Sequence, residues 1–158
     1  MRKILKNCMA MSLGLSLVFT GCSKDDESEK SDNYAEIVAG TYVGSLSMAG
    51  NEIVPSATIS ITRVSDDKVT LTINETLSGL PVGDLPLNVS CEAEVSKDGD
   101  TYKITGNTNA SIPQLGGEFP VSIAGTIGVS AAGSAAKITI TVTMGELPIM
   151  VEFTGSKQ

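Results

Sequence analysis

The sequence predicts an all-β protein, an eight-stranded up-and-down antiparallel barrel after a short helical turn, and three observations predict it. From Gly40 onward, apolar residues alternate with Ser and Thr in eight segments, at about 40–49, 54–64, 68–77, 85–96, 101–112, 119–130, 137–145 and 147–154. The connections are short and rich in turn formers, as in Ser65-Asp66-Asp67-Lys68, Ser96-Lys97-Asp98-Gly99-Asp100 and Gly145-Glu146. Neighbouring strands therefore pair as hairpins, and no βαβ crossover fits. The alternation also separates two faces. Ser56, Thr58, Ser60, Thr62, Thr70, Thr72, Asn74, Thr76, Thr139, Thr141 and Thr143 share one. Ile59, Ile61, Val69, Leu71, Ile73, Leu87, Val89, Ile138, Ile140, Val142, Val151 and Phe153 share the other. A meander with one apolar face buries that face by closing on itself. A transmembrane barrel carries the reverse pattern and aromatic girdles, which these strands lack.

Upstream, Arg2, Lys3 and Lys6 precede an apolar run from Met9 to Thr20, shorter than the roughly 20 residues a membrane-spanning helix needs. The following Leu17-Val18-Phe19-Thr20-Gly21-Cys22 resembles a bacterial lipoprotein signal, in which small residues precede a cysteine that is acylated and becomes residue one after cleavage. The resemblance implies that residues 1–21 are removed and that Cys22 carries at least two acyl chains into a membrane. One chain holds a protein only marginally; two or more, at about 0.8 kcal/mol per buried CH₂, anchor it stably.

Ser23 to Asp32 (SKDDESEKSD) contains five acids, two lysines and no apolar side chain, so it reads as a solvated tether. Its Lys24-Asp25-Asp26-Glu27 run is similar to the acidic signal that sends lipoproteins of some Gram-negative bacteria to the outer face of the outer membrane. The alternative is an ordinary charged linker with the barrel on the periplasmic face. The chain thus divides into a signal over 1–21, the acylated cysteine, tether and helical turn over 22–38, and the barrel over 39–158.

Cleavage leaves 137 of the 158 residues, the size of one domain. Losing Arg2, Lys3 and Lys6 leaves 8 basic against 18 acidic side chains, a balance unsuited to nucleic acid or anionic surfaces. There is no His and no Trp, so the commonest general base and transition-metal ligand are missing. Without a nucleophile–base pair, a phosphate loop or metal-spaced ligands, no enzyme activity, cofactor or metal is expected. Cys8 leaves with the signal and Cys22 is acylated, which strands Cys91 without a disulfide partner. It lies between Val89 and Ala93 on the apolar phase and reads as a buried, inert thiol.

In chain order, Asn33-Tyr34-Ala35-Glu36 reads as a capping box opening one helical turn before Gly40. An internal echo then marks the even-numbered strands: Gly83-Asp84-Leu85-Pro86-Leu87, Gly117-Glu118-Phe119-Pro120-Val121 and Gly145-Glu146-Leu147-Pro148-Ile149, with a weaker copy in Gly50-Asn51-Glu52-Ile53-Val54-Pro55. Proline lacks the N–H of a central ladder position, so each copy marks a strand start at one end of the sheet. Spacings of 34 and 28 residues suggest hairpin duplication rather than a solenoid.

Gly40-Thr41-Tyr42-Val43-Gly44, at the head of the first strand, resembles the Gly-x-Trp opening of lipocalins and other calycins, with Tyr42 in place of Trp. The whole of 40–155 is similar to the calycin-like domains of bacterial lipoproteins. In lipocalins an Arg from the far end of the chain covers that Trp. None follows here, and Arg63, on the inward phase at the end of strand two, is the candidate to cap Tyr42 by cation–π contact at the closed end; a solvated Arg63 is the alternative. The resemblance implies a small apolar ligand at the opposite mouth and a monomeric barrel.

Candidate ligand positions are Ala93, Gly106, Thr108, Ala110 and Gly125, the small inward residues of strands four to six, with Met48, Glu75 and Met144 flanking the mouth. The small residues either line a cavity or, at the glycines, let the sheet bend at a corner. Glu75 either orients a ligand or emerges to water. Glu52, Asp84, Glu118 and Glu146 ring the mouth with no base among them, through turn chemistry or as a cation-attracting ring. Besides the membrane reached through Cys22, two partners stay open: a small apolar ligand, or a protein for which the barrel is an inhibitor or accessory subunit.

Overall fold

In a computed structural model, which describes residues 32–79, 83–113 and 116–158, one short helix precedes eight strands. They are α1 (Tyr34–Val38), β1 (Gly40–Met48), β2 (Asn51–Arg63), β3 (Lys68–Leu77), β4 (Leu85–Asp98), β5 (Thr101–Ile112), β6 (Gly117–Ser130), β7 (Gly133–Met144) and β8 (Leu147–Lys157). Each strand pairs antiparallel with the next, and β8 pairs with β1 to close the barrel. The predicted fold class is the observed one. The signal, Cys22 and the tether as far as Ser31 lie outside the described residues.

The largest boundary difference falls in a stretch of small side chains. The alternation predicts strand seven from 137, whereas β7 begins at Gly133. Gly133-Ser134-Ala135-Ala136 offers little hydrophobic contrast, yet Ser134 and Ala136 hold the inward phase and are buried.

The predicted apolar face points inward and fills the barrel. Tyr42, Leu46, Ile59, Leu71, Ile73, Ile104, Ile127, Ile138, Ile140, Val151 and Phe153 are all 0% exposed. A side chain with no accessible surface borders no space that a water could occupy, so these residues exclude a cavity among themselves. Eight strands leave an interior just wide enough for side chains to fill, and each large apolar side chain removed from water contributes about 1.5–3 kcal/mol.

The proximal end, where the chain enters β1 and leaves β8, is plugged by α1. Five residues are too few to hold a helix alone, so docking supplies its stability. Glu36 N–H donates to Asn33 Oδ1 at 3.1 Å. Asn33 Nδ2 donates to the Glu36 carboxylate, so the return bond of the predicted capping box comes from the amide side chain rather than the backbone. Ala35 N–H donates to the Asp66 carbonyl at 2.9 Å in the β2–β3 turn. The Tyr34 ring meets Tyr102 of β5 at 5.8 Å, and Lys157 Nζ donates to the Ile37 carbonyl at 3.4 Å.

At the distal end the ladders behave in two ways. Those within the β1–β2, β3–β4, β5–β6 and β7–β8 hairpins run to the tips, ending at Met48–Asn51, Leu77–Leu85, Ile112–Gly117 and Met144–Leu147. Those between hairpins stop earlier, at Ile59–Ile73, Ala93–Gly106, Val121–Val142 and Ser47–Glu152. The tips therefore project as two-stranded ribbons with outer edges that make no ladder. Pro86, Pro120 and Pro148 occupy these stretches in register with Thr76, Asn109 and Thr143. A proline has no N–H to give a neighbouring strand, so each one blunts the free edge of its ribbon. Pro55 lies in the stretch of β2 where the β1–β2 register slips. The repeated Gly-acid-apolar-Pro segment is the sequence form of this device.

Candidate functional site

Tyr42 is the one large polar side chain of the core. β1 carries it under α1, and its hydroxyl donates to the Val38 carbonyl at 2.9 Å, satisfying a buried group at the helix C-terminus. Ser134 at the start of β7 hydrogen-bonds the same phenol. Burial outweighs that bond and pushes the Tyr42 hydroxyl up to about 12, because an apolar surround disfavours the charged form. The closed end is thus built from Tyr42, Val38 and Ser134, a set that sequence reasoning reached only at Tyr42. Arg63 does lie at this end, but its guanidinium is about half exposed and pairs with Asp66. The helix covers the ring, and Arg63 instead braces the turn that holds Ala35.

The small inward residues lie where strands pair closely or at the core. Ala93 and Ala110 are buried in the core. Ala93 and Gly106 are the last partners of the β4–β5 ladder, Thr108 and Ala110 pair with Val121 and Phe119, and Gly125 pairs with Ile104 and Ile138. A Cβ added at Gly106 would stand 2.6 Å from the Glu92 carbonyl oxygen and 2.8 Å from Cys91 Sγ. One at Gly125 would stand 2.8 Å from the Lys137 carbonyl oxygen and 2.9 Å from Ile138 Cα. At these two glycines neighbouring strands close in on the backbone, an arrangement that supports the corner alternative. Thr108 is only half-buried and helps line a depression shared with Asn107, Asn109, Pro120 and Ser122, whose side chains are exposed.

Cys91 is buried beside Gly106 and donates from Sγ to the Glu92 carbonyl at 3.2 Å. Burial and then the Glu92 carboxylate raise its thiol above the ordinary range, which keeps it protonated and unreactive.

The mouth candidates sit on different hairpins. Met144 is half-buried and packs against the core, as do Ile53, Phe119 and Ile149, and Met48 is half-buried at the end of β1. Glu75 is half-buried, and its Oε1 accepts from Thr58 N–H at 2.7 Å. Thr58 lies just beyond the last β2–β3 pair, so the carboxylate stands in for a strand carbonyl that has moved away. That role was not readable from sequence, where only its inward phase showed. Around the mouth Glu52, Asp84, Glu118 and Glu146 are exposed. Among the described residues, no group of three or more His, Cys, Asp or Glu side chains is placed to hold a metal ion. Leu147 is 73% exposed and Met150 53%, two apolar tip residues that the sequence reading assigned to no site.

A closed eight-stranded antiparallel barrel with a helical plug, an apolar interior and a Gly-x-Tyr opening defines a small barrel of the calycin type. Residues 38–156 match the family model of the calycin-like beta-barrel domain, and the chain belongs to that family. No curated protein matches it. A solved structure described as a redesigned beta barrel is similar at 12% identity, over 80% of this chain and 96% of that one, with a TM-score of 0.41.

Proposed function

We propose that this protein is a lipid-anchored envelope lipoprotein whose filled calycin-like barrel presents its distal rim to a protein partner. The observation that carries the reading is the interior. Calycin-like barrels are compatible with small-ligand binding, but here core side chains such as Ile59, Ile73, Ile138 and Phe153 have no accessible surface and Gly106 and Gly125 are closed against backbone. Recognition is then left to the outer surface. The anchor reading rests on the sequence around Cys22 and agrees with the topology, since α1 and the end of β8 share the proximal end and the rim faces the other way.

Cys22→Ala is expected to release the protein from membranes without changing its thermal unfolding, because the tether adds nothing to the core. Detergent partitioning checks it, and a variant that stays quantitatively with membranes overturns the anchor.

Display on the cell surface rests on the Lys24-Asp25-Asp26-Glu27 run. Replacing those four residues by alanine is expected to protect the protein from protease added to whole cells; equal digestion of both forms removes the argument.

One observation favours the second reading, a small hydrophobic ligand. Phe119, Met144 and Ile149 are half-buried apolar residues packed on the core near the distal end, a surface for an apolar molecule outside the barrel interior. Native mass spectrometry of the purified protein separates the readings: a co-purifying apolar molecule supports the binder, and a bare chain supports the interaction module.

A further inference from the structure

The distal rim is asymmetric in charge as well as in polarity. The tip segments 48–55, 75–87, 109–121 and 143–150 carry Glu52, Glu75, Asp84, Glu118 and Glu146 and contain no Lys or Arg. Every base among the described residues lies elsewhere. Arg63, Lys68, Lys97, Lys103 and Lys157 sit at or near the proximal strand ends, and Lys137 four residues into β7. The same tips carry Ile53, Phe119, Met144 and Ile149, half-buried against the core, and the half-buried Met48, with Leu147 exposed on the inward phase of Ile149 and Met150 exposed on the outer face of β8.

We infer that the rim docks a cationic amphipathic protein segment, one that sets apolar side chains on Leu147, Met144 and Phe119 and ranges Lys or Arg around them. The inference rests on the interaction reading above and specifies its partner. Charge complementarity selects the class. Rim carboxylates attract a basic partner within a screening length of about 8 Å at physiological salt and repel an acidic one, including an anionic bilayer. Apolar contacts at the centre, fenced from water by a charged rim, supply the affinity. The mode is side-chain docking rather than strand addition, because Pro86, Pro120 and Pro148 withhold N–H groups from the free edges of the tips. Methionines at the rim suit a surface that adapts to its partner.

Two fluorescent peptides of equal length test this with the full-length protein in detergent, one an amphipathic helix of Leu and Lys, the other its Leu and Glu counterpart. The Leu–Lys peptide is expected to bind and the Leu–Glu peptide not to. Binding is expected to fall about tenfold in Leu147→Ser, and about tenfold in Glu52→Gln with Glu118→Gln and Glu146→Gln. It should also weaken with salt in the wild type and lose most of that dependence in the triple Gln variant. All these substitutions are at exposed positions, and unchanged thermal unfolding separates lost docking from lost fold. Equal binding of both peptides, or loss in neither variant, overturns the inference.

A photo-crosslinker placed at 147, and in a control at 129 on the proximal end, keeps this outcome distinct from the parent reading. Protein adducts on cells at 147 that persist in the triple Gln variant reject the cationic partner and leave a distal partner standing. Adducts confined to 129 reject both. Adducts at 147 that vanish in the triple Gln variant support both.

Discussion

Gly106→Leu is expected to destabilise the barrel by at least about 1–3 kcal/mol, the range for overpacking a filled core. The cost arises at the first added atom. Its Cβ meets the Glu92 carbonyl oxygen at 2.6 Å and Cys91 Sγ at 2.8 Å; the former is backbone, which no rotamer change can move aside. Relief requires β4 and β5 to separate at Ala93–Gly106, where their ladder already ends. Cys91 reports this directly, being buried and shifted away from its reactive form in the wild type. Maleimide labelling of the native variant should therefore be faster than that of the wild type, and urea unfolding should show the loss in stability. A Gly106→Leu protein as stable as its parent, with Cys91 still protected, would mean that the interior holds space after all and would restore the small-ligand reading.

The second large effect is alkaline. Burial in the barrel pushes the Tyr42 hydroxyl from its ordinary value of 10.0 up to about 12. A group whose folded pKa lies above its unfolded one contributes stability in full below the lower value and loses it as the pH climbs through the higher. The barrel should thus weaken between about pH 10 and 12, as the unfolded chain sheds a proton that the native Tyr42 keeps. Cys91, raised in the same direction, adds to the slope at the alkaline side of its ordinary range. Tyr42→Phe removes the Tyr42 part of that slope and at neutral pH costs about 1–3 kcal/mol, because the Val38 carbonyl and Ser134 hydroxyl lose their common partner in a buried site. Chemical unfolding at pH 7 and pH 11 checks both statements. A variant with the neutral-pH stability of its parent and the same alkaline slope would show that α1 is held by other contacts.

The fold was legible because its cause is periodic. Ile59, Ile61, Leu71, Ile73, Ile138, Ile140, Val151 and Phe153 announce their face by alternating with Thr, Ser or other polar residues, and a one-residue slip would turn that whole set outward. The proline echo was legible as position, and the early end of the ladders at Ala93–Gly106 and Val121–Val142 supplies its reason. The site was less legible, because it depends on distances between strands that no single strand encodes. Gly106 and Gly125 read both as space and as close approach, and the distances that bear on the choice come from the backbone of β4 and β7. Glu75 showed its phase but not the orphaned Thr58 N–H it serves. Ser134 sat in a run of small residues too weak in contrast to mark a strand, and Arg63 had Asp66 three residues away as a partner that inward phase did not reveal.

The closure of the barrel also settles how it would carry a mechanical load. Any tension entering through the segment ahead of α1 and resisted at the hairpin tips runs roughly along the strands. To yield, β1 must slide at once past eight register partners on β2 and six on β8, bonds loaded in parallel instead of unzipped one after another. Rupture under such a pull is a single event set by the unfolding rate rather than by equilibrium stability, which makes the domain stiff along the axis of its strands.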